Sequence, residues 1–146
     1  MIKLILRDIS ANLRDQLGKK FVSFMNLLDG NTTVFLHSYQ NELDINNINI
    51  QDILGFAAVT ENAEYCLLEE VEVRVQGQMQ YKKIYQELLA DVFYFVSDKD
   101  MPLMTNHFTP KEKNIVVPIL EFCAAKYGVY VMEEKEYLEM RNKSFA

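Results

Sequence analysis

Two histidines, two cysteines and 21 carboxylates are the side chains of this 146-residue chain able to move protons, hold metals or attract cations. His37 follows the run Thr32-Thr33-Val34-Phe35-Leu36 and precedes Ser38 and Tyr39. An imidazole at a strand end is where layered α/β proteins place functional side chains, and there it can serve as a general base. Asp8, which closes the first apolar run, is the carboxylate best placed to join it, although its plainer role is to cap the helix that follows. Asp8, His37 and Ser38 therefore define one candidate ligand site. His107 stands in a loop before a helix cap. The sequence holds no HxH, no HExxH and no Cys/His pair at ligand spacing, so no metal site is expected. Ser97-Asp98-Lys99-Asp100 looks like a fragment of a calcium loop, but the glycine and the distant glutamate are missing, and it reads as a solvated turn. The 5 glycines form neither GxGxxG nor GxxxxGK, and GxSxG is absent. Nucleotide cofactors and a hydrolase elbow are thus not expected.

Cys66 and Cys123 lie in apolar settings, Tyr-Cys-Leu-Leu and Phe-Cys-Ala-Ala, and form no CxxC. They read as buried free thiols, which points to a reducing, cytoplasmic setting. The opening Ile2-Lys3-Leu4-Ile5-Leu6 is too short and too charged for a signal-peptide core and reads as a strand. No segment has the roughly 20 apolar residues of a membrane span.

The sharpest signal is electrostatic. The net charge is −6, but residues 1–39 hold five bases against three acids, and 76–146 hold nine bases against ten acids. The stretch 40–75 holds Glu42, Asp44, Asp52, Glu61, Glu64, Glu69, Glu70 and Glu72 against Arg74 alone. One reading is a solvated surface that maintains solubility. The other is a face for a basic protein partner, because a single-sign patch steers association; Asp44, Glu61, Glu64, Glu69, Glu70 and Glu72 are the residues expected to bind. Phosphates would be repelled, so direct contact with nucleic acid is not expected.

The elements that must position these groups follow from periodicity. Strands are expected at 2–7, 32–36, 55–59 and 129–132. The Glu70, Glu72, Arg74 alternation with Val71, Val73 and Val75 marks a half-exposed strand that is antiparallel or at an edge. A helix is expected over 11–28 from Leu13, Leu17, Phe21, Phe24 and Leu28, capped by Asp8 or Ser10 and ended by Asp29-Gly30-Asn31. A polar connector over 39–49 leads to one helical turn at 50–54. Gly77 either turns the chain back as a hairpin or breaks the strand. Another helix begins near Tyr81; the run 92–96 is either its buried end or a separate strand, and its β-branched and aromatic enrichment leans toward strand. The segment from Ser97 to Thr109, with Pro102, reads as loop. Thr109-Pro110-Lys111-Glu112 is a helix start, the helix running to Tyr127 with Pro118 inside it and Gly128 as its cap. A short charged helix is expected over 133–140.

A chain of this length forms one domain whose core needs no disulfide or metal. The expected architecture is α/β or α+β, a single layered domain with a mixed sheet of about five strands flanked by helices. Two functions are compatible with this sequence. The first is a protein-binding module, for example a cytosolic inhibitor of the immunity or antitoxin type, which sets its acidic face against a basic partner such as a toxin or nuclease. The second is a small enzyme or ligand-binding domain with its site near Asp8 and His37. No cofactor is implied by either.

Overall fold

Residues 53–59, Ile-Leu-Gly-Phe-Ala-Ala-Val, must be covered on both sides, and they set the architecture. In the computed structural model, which describes residues 2–27, 31–38, 48–106 and 108–144, they lie in the strand Ile53–Glu61 (β3). Ile53, Phe56 and Ala58 turn to one face of the sheet, and Leu54, Ala57 and Val59 to the other. β3 is central to a six-stranded mixed sheet in which the strands stand in chain order. Ile2–Ile5 (β1), Thr32–Ser38 (β2), β3 and Cys66–Val73 (β4) run antiparallel in turn. Leu103–Thr105 (β5) and Val131–Glu133 (β6) then join in parallel. Among the described residues four helices complete an α+β domain: Ala11–Lys20 (α1), Gln78–Asp98 (α2), Pro110–Tyr127 (α3) and Glu134–Ser144 (α4).

Each face has its own core. On one, α2 and α3 bring Leu88, Leu89, Val92, Phe93, Val116 and Leu120 against β3 and β4. On the other, α1 and the 3₁₀ turn Val22–Asn26 bring Leu17, Phe21 and Phe24 against Phe56. Parallel strands need crossover connections, and α2 and α3 supply them between β4, β5 and β6.

Several expectations need correction. The expected 11–28 helix stops at Lys20. Phe21 is extended at φ −118°, ψ 101°, which lets Phe21 and Phe24 both reach Phe56 in edge-to-face contacts of 5.4 Å. The 92–96 run is not a strand. Val92, Phe93 and Val96 continue the buried face of Ile84, Leu88 and Leu89, and burial on the sheet overrides β-propensity. Of the two readings of Gly77, the break holds and the hairpin does not: its φ of +92° ends the extended chain just before α2. β5 lies in a segment expected to be loop, and it raises the strand count to six. The α3 start is as expected, with Thr109 capping Glu112 N–H at 3.3 Å, and Gly128 closes the helix at φ +66°. Residues 39–47, with Glu42 and Asp44, and His107 lie outside the described residues.

At Gly55, Leu88 of α2 packs close against the sheet. A β-carbon there would stand 2.9 Å from the Glu72 carbonyl oxygen and 3.2 Å from both Leu88 Cδ1 and Val73 Cγ2. The carbonyl belongs to a paired strand and has little freedom to retreat. Gly55→Ala is therefore expected to destabilise the fold by about 1–3 kcal/mol in denaturant titration. An unchanged midpoint would show that helix and sheet separate freely at this point.

Candidate functional site

The carboxylates of β4 are presented by a change of parity within the strand. Opposite β3, Cys66 and Leu68 point to the α2 side, but a bulge at Glu69 shifts the register so that Ala58 faces Glu70. Beyond it Val71 and Val73 take over the α2 side, and Glu70 and Glu72 share the opposite face. Bulges bend a strand and end its pairing. β5 pairs with β4 only from Cys66 to Leu68, and Asn106 then donates from Nδ2 to the Glu69 carbonyl at 3.0 Å. Among the described residues no strand pairs with the far edge of β4 from residue 70 to 73.

That edge opens into a groove of about 640 Å³ between the first turns of α2 and α3 and the Val22–Asn26 turn. Tyr81, Tyr85, Ile115 and Val116 form its apolar wall, and Glu70, Glu72 and Glu112 supply its carboxylates, with Lys111 as the lining cation. Glu72 is internally satisfied. Ser23 donates to its Oε1 through backbone N–H (3.2 Å) and hydroxyl, and Arg74 Nε donates to its Oε2 at 2.6 Å. Burial pulls this carboxyl upward, but the Ser23 and Arg74 bonds outweigh it and hold its pKa below the ordinary value. Glu70 has no ion pair among the described residues. Burial first, then the charges of Glu72, Glu69 and Glu112, raise its pKa above the ordinary value.

These opposite shifts predict opposite pH behaviour. The depressed Glu72 contributes stability that is present above its unfolded pKa and lost as pH falls through its folded pKa. Replacing it as Glu72→Gln is expected to cost about 1–2 kcal/mol at neutral pH, because a charged acceptor of three hydrogen bonds becomes a neutral one. The deficit should shrink as the pH is lowered through the acid range. A deficit that is constant from pH 7 to pH 3 in thermal melts would contradict this role.

Glu61 and Glu64 do not join this face. Glu61, at the far end of β3, pairs with Lys99 at 3.1 Å. Glu64, in the β3–β4 turn, accepts from Tyr137 at 2.9 Å and Arg141 at 2.7 Å on α4. Both carboxylates are thus engaged in holding the sheet to α2 and α4. A second concavity, of about 750 Å³, opens beside Glu61 and is lined by Lys3, Arg7 and Lys99, with both lysines over the Phe95 ring at 5.1 and 4.8 Å.

The Asp8, His37, Ser38 constellation does not form. β1 and β2 are antiparallel with Ile2 opposite Leu36 and Ile5 opposite Thr33, so Asp8 follows the end of β1 that lies farthest from His37. Nor does Asp8 cap α1. Ser10 does so, its Oγ accepting from Leu13 N–H at 3.2 Å. His37 and Ser38 are adjacent at the end of β2, where the register with β3 shifts. His37 Nε2 bonds Glu87 of α2, and its Nδ1 is buried with no partner among the described residues. Glu87, Glu112, Tyr81 and Tyr85 were not singled out from the sequence. Only Glu112 carried a signal there, as the third residue of a capping box, and that signal concerned helix start, not binding.

Cys66 and Cys123 are buried and unpaired, and burial pushes the Cys66 thiol up to about 11. Among the described residues no group of three His, Cys, Asp or Glu side chains is placed to hold a metal, and no helix is long and apolar enough to cross a membrane. In the comparisons with known proteins, no family model, curated protein or solved structure matches this chain.

Proposed function

We propose that this protein is a binding module that docks a basic protein partner on the carboxylate-bearing half of β4. One observation carries this reading: Glu70 stands in an open groove beside Glu69, Glu72 and Glu112 and forms no ion pair among the described residues. A half-buried carboxylate kept among like charges is a cost to the free protein, and a lysine or arginine brought into the groove relieves it. Of the acids on β3, β4 and the turn between them, Glu69 and Glu70 form no ion pair among the described residues, unlike Glu61, Glu64 and Glu72. The role that suits such a face is neutralisation of a basic protein, as an inhibitor of the immunity or antitoxin kind. The buried free thiols are in keeping with a reducing, cytoplasmic setting.

The test is capture of partners from the native host on immobilised protein at about 50 mM and about 500 mM salt, spanning strong to weak screening. The expected result is one basic protein retained at low salt and released at high salt. Retention that is insensitive to salt, or the absence of a basic partner at low salt, would overturn the reading.

A further inference from the structure

The backbone of β4 specifies more than the sign of its partner. In an antiparallel pair, residues alternate between exchanging both hydrogen bonds with the neighbouring strand and pointing both groups away from it. Arg74 N–H donates to the Leu54 carbonyl at 2.8 Å, which makes Arg74 opposite Leu54 a bonded pair. In the continuous register from Gly55–Val73 to Ala58–Glu70, Glu72 and Glu70 are then bonded to β3 as well. The close approach of the Glu72 carbonyl to Gly55 agrees with that direction. Val71 and Val73 consequently turn their N–H and C=O groups to the open edge, where β5 no longer runs.

We infer that the groove takes an extended segment of the partner as an added strand on the β4 edge, with basic and apolar side chains in alternation. This deepens, and rests on, the reading of β4 as a docking face for a basic protein. Hydrogen bonds to Val71 and Val73 hold the segment, as in other cases of strand addition. Successive side chains of a strand point to opposite faces. On the α2 and α3 side, one set meets Tyr81, Tyr85, Ile115 and Val116. On the other, the alternate set meets Glu70 and Glu72 beside Ser23. The first wall suits valine, isoleucine or leucine, and the second suits lysine or arginine. A second copy of this chain is a poor occupant, since pairing β4 with its own copy would bring Glu70 and Glu72 against the same carboxylates.

The probe is a short fluorescent peptide of alternating lysine and valine, titrated into the whole protein. It is compared with the same peptide N-methylated at alternate residues, in each of the two registers, and with a lysine–glycine peptide of equal charge. Strand addition predicts that methylation in one register weakens binding about tenfold or more, because it removes two backbone hydrogen bonds while leaving charge and side chains in place. It further predicts that the amides of Val71 and Val73 gain hydrogen-exchange protection on binding. Equal affinity for all the peptides, lost in the Glu69→Lys/Glu70→Lys variant, would overturn strand addition and leave the acidic face standing. Peptide affinity that is the same in that variant and in the unaltered protein would overturn both. The peptides probe the native fold unchanged, and circular dichroism of the double variant establishes that it is folded.

Discussion

Replacing Phe56 with alanine is expected to lower folding stability by about 3–5 kcal/mol, enough to drop the melting temperature by roughly 10 °C or more in a chain of this size. Phe56 is fully buried on the α1 side of β3. Phe21 and Phe24 both stand edge-on to it at 5.4 Å, each reached because the chain leaves α1 in an extended conformation at Phe21. Removing the ring takes away the surface on which both neighbours pack. It also leaves a cavity beneath the Val22–Asn26 turn. Because Phe56 stands opposite Glu72, whose carboxylate is held by Ser23 of that same turn, part of the loss should appear as faster hydrogen exchange around Ser23. A cost below about 1 kcal/mol would mean that the turn recloses over the gap, and that the aromatic trio is not what fixes this face.

The second large effect concerns binding. Reversal of the two carboxylates that form no ion pair among the described residues, Glu69→Lys/Glu70→Lys, is expected to weaken the complex with a basic partner about 100-fold at low salt, and by much less at high salt. Glu72 is left in place because it is engaged with Ser23 and Arg74, so its reversal would confuse folding with binding. The same face gives the complex a pH dependence. The Glu70 pKa lies above its ordinary value through burial and the charges of Glu72, Glu69 and Glu112, whereas Arg74 and Lys111 are the nearby cations. A partner's lysine or arginine favours the ionised form, so binding releases a proton from any Glu70 that carries one. Affinity should therefore rise with pH through the mildly acidic range and level off once Glu70 is ionised in the free protein. In the double variant this slope should vanish. Calorimetry in buffers of different ionisation enthalpy reads the proton release directly.

How much of this was visible in the sequence depended on whether the signal was local. The α3 start is written in Thr109-Pro110-Lys111-Glu112 and its end in Gly128, and both formed as expected because caps involve residues only three or four apart. The alternation of Glu70, Val71, Glu72 and Val73 gave the half-exposed character of β4 for the same reason. Elements decided by tertiary packing were not legible in the same way. The run 92–96 has strand-like residues, yet its place on the buried face of α2 made it helix. β5 has only three residues and follows Pro102, so no period could be counted; it exists because Cys66 N–H finds the Pro102 carbonyl and Leu103 N–H the Tyr130 carbonyl. The site shows the same division. The excess of acid over 40–75 was legible as charge, but not which acids were engaged. The partners of Glu61, Glu64 and His37 lie 38, 77 and 50 residues away along the chain. The bulge at Glu69 that turns Glu70 and Glu72 away from the α2 side likewise arises only from pairing with β3.

The most direct test of the proposed docking face is parallel capture from the native host, at low salt, on the immobilised protein and on its Glu69→Lys/Glu70→Lys variant, with mass spectrometry of what is retained and circular dichroism of both baits. The prediction is a basic protein abundant on the first and depleted about 100-fold on the second, with identical spectra for the two baits. Equal recovery of the same basic partner on two folded baits would contradict it and would put the interface elsewhere on the molecule.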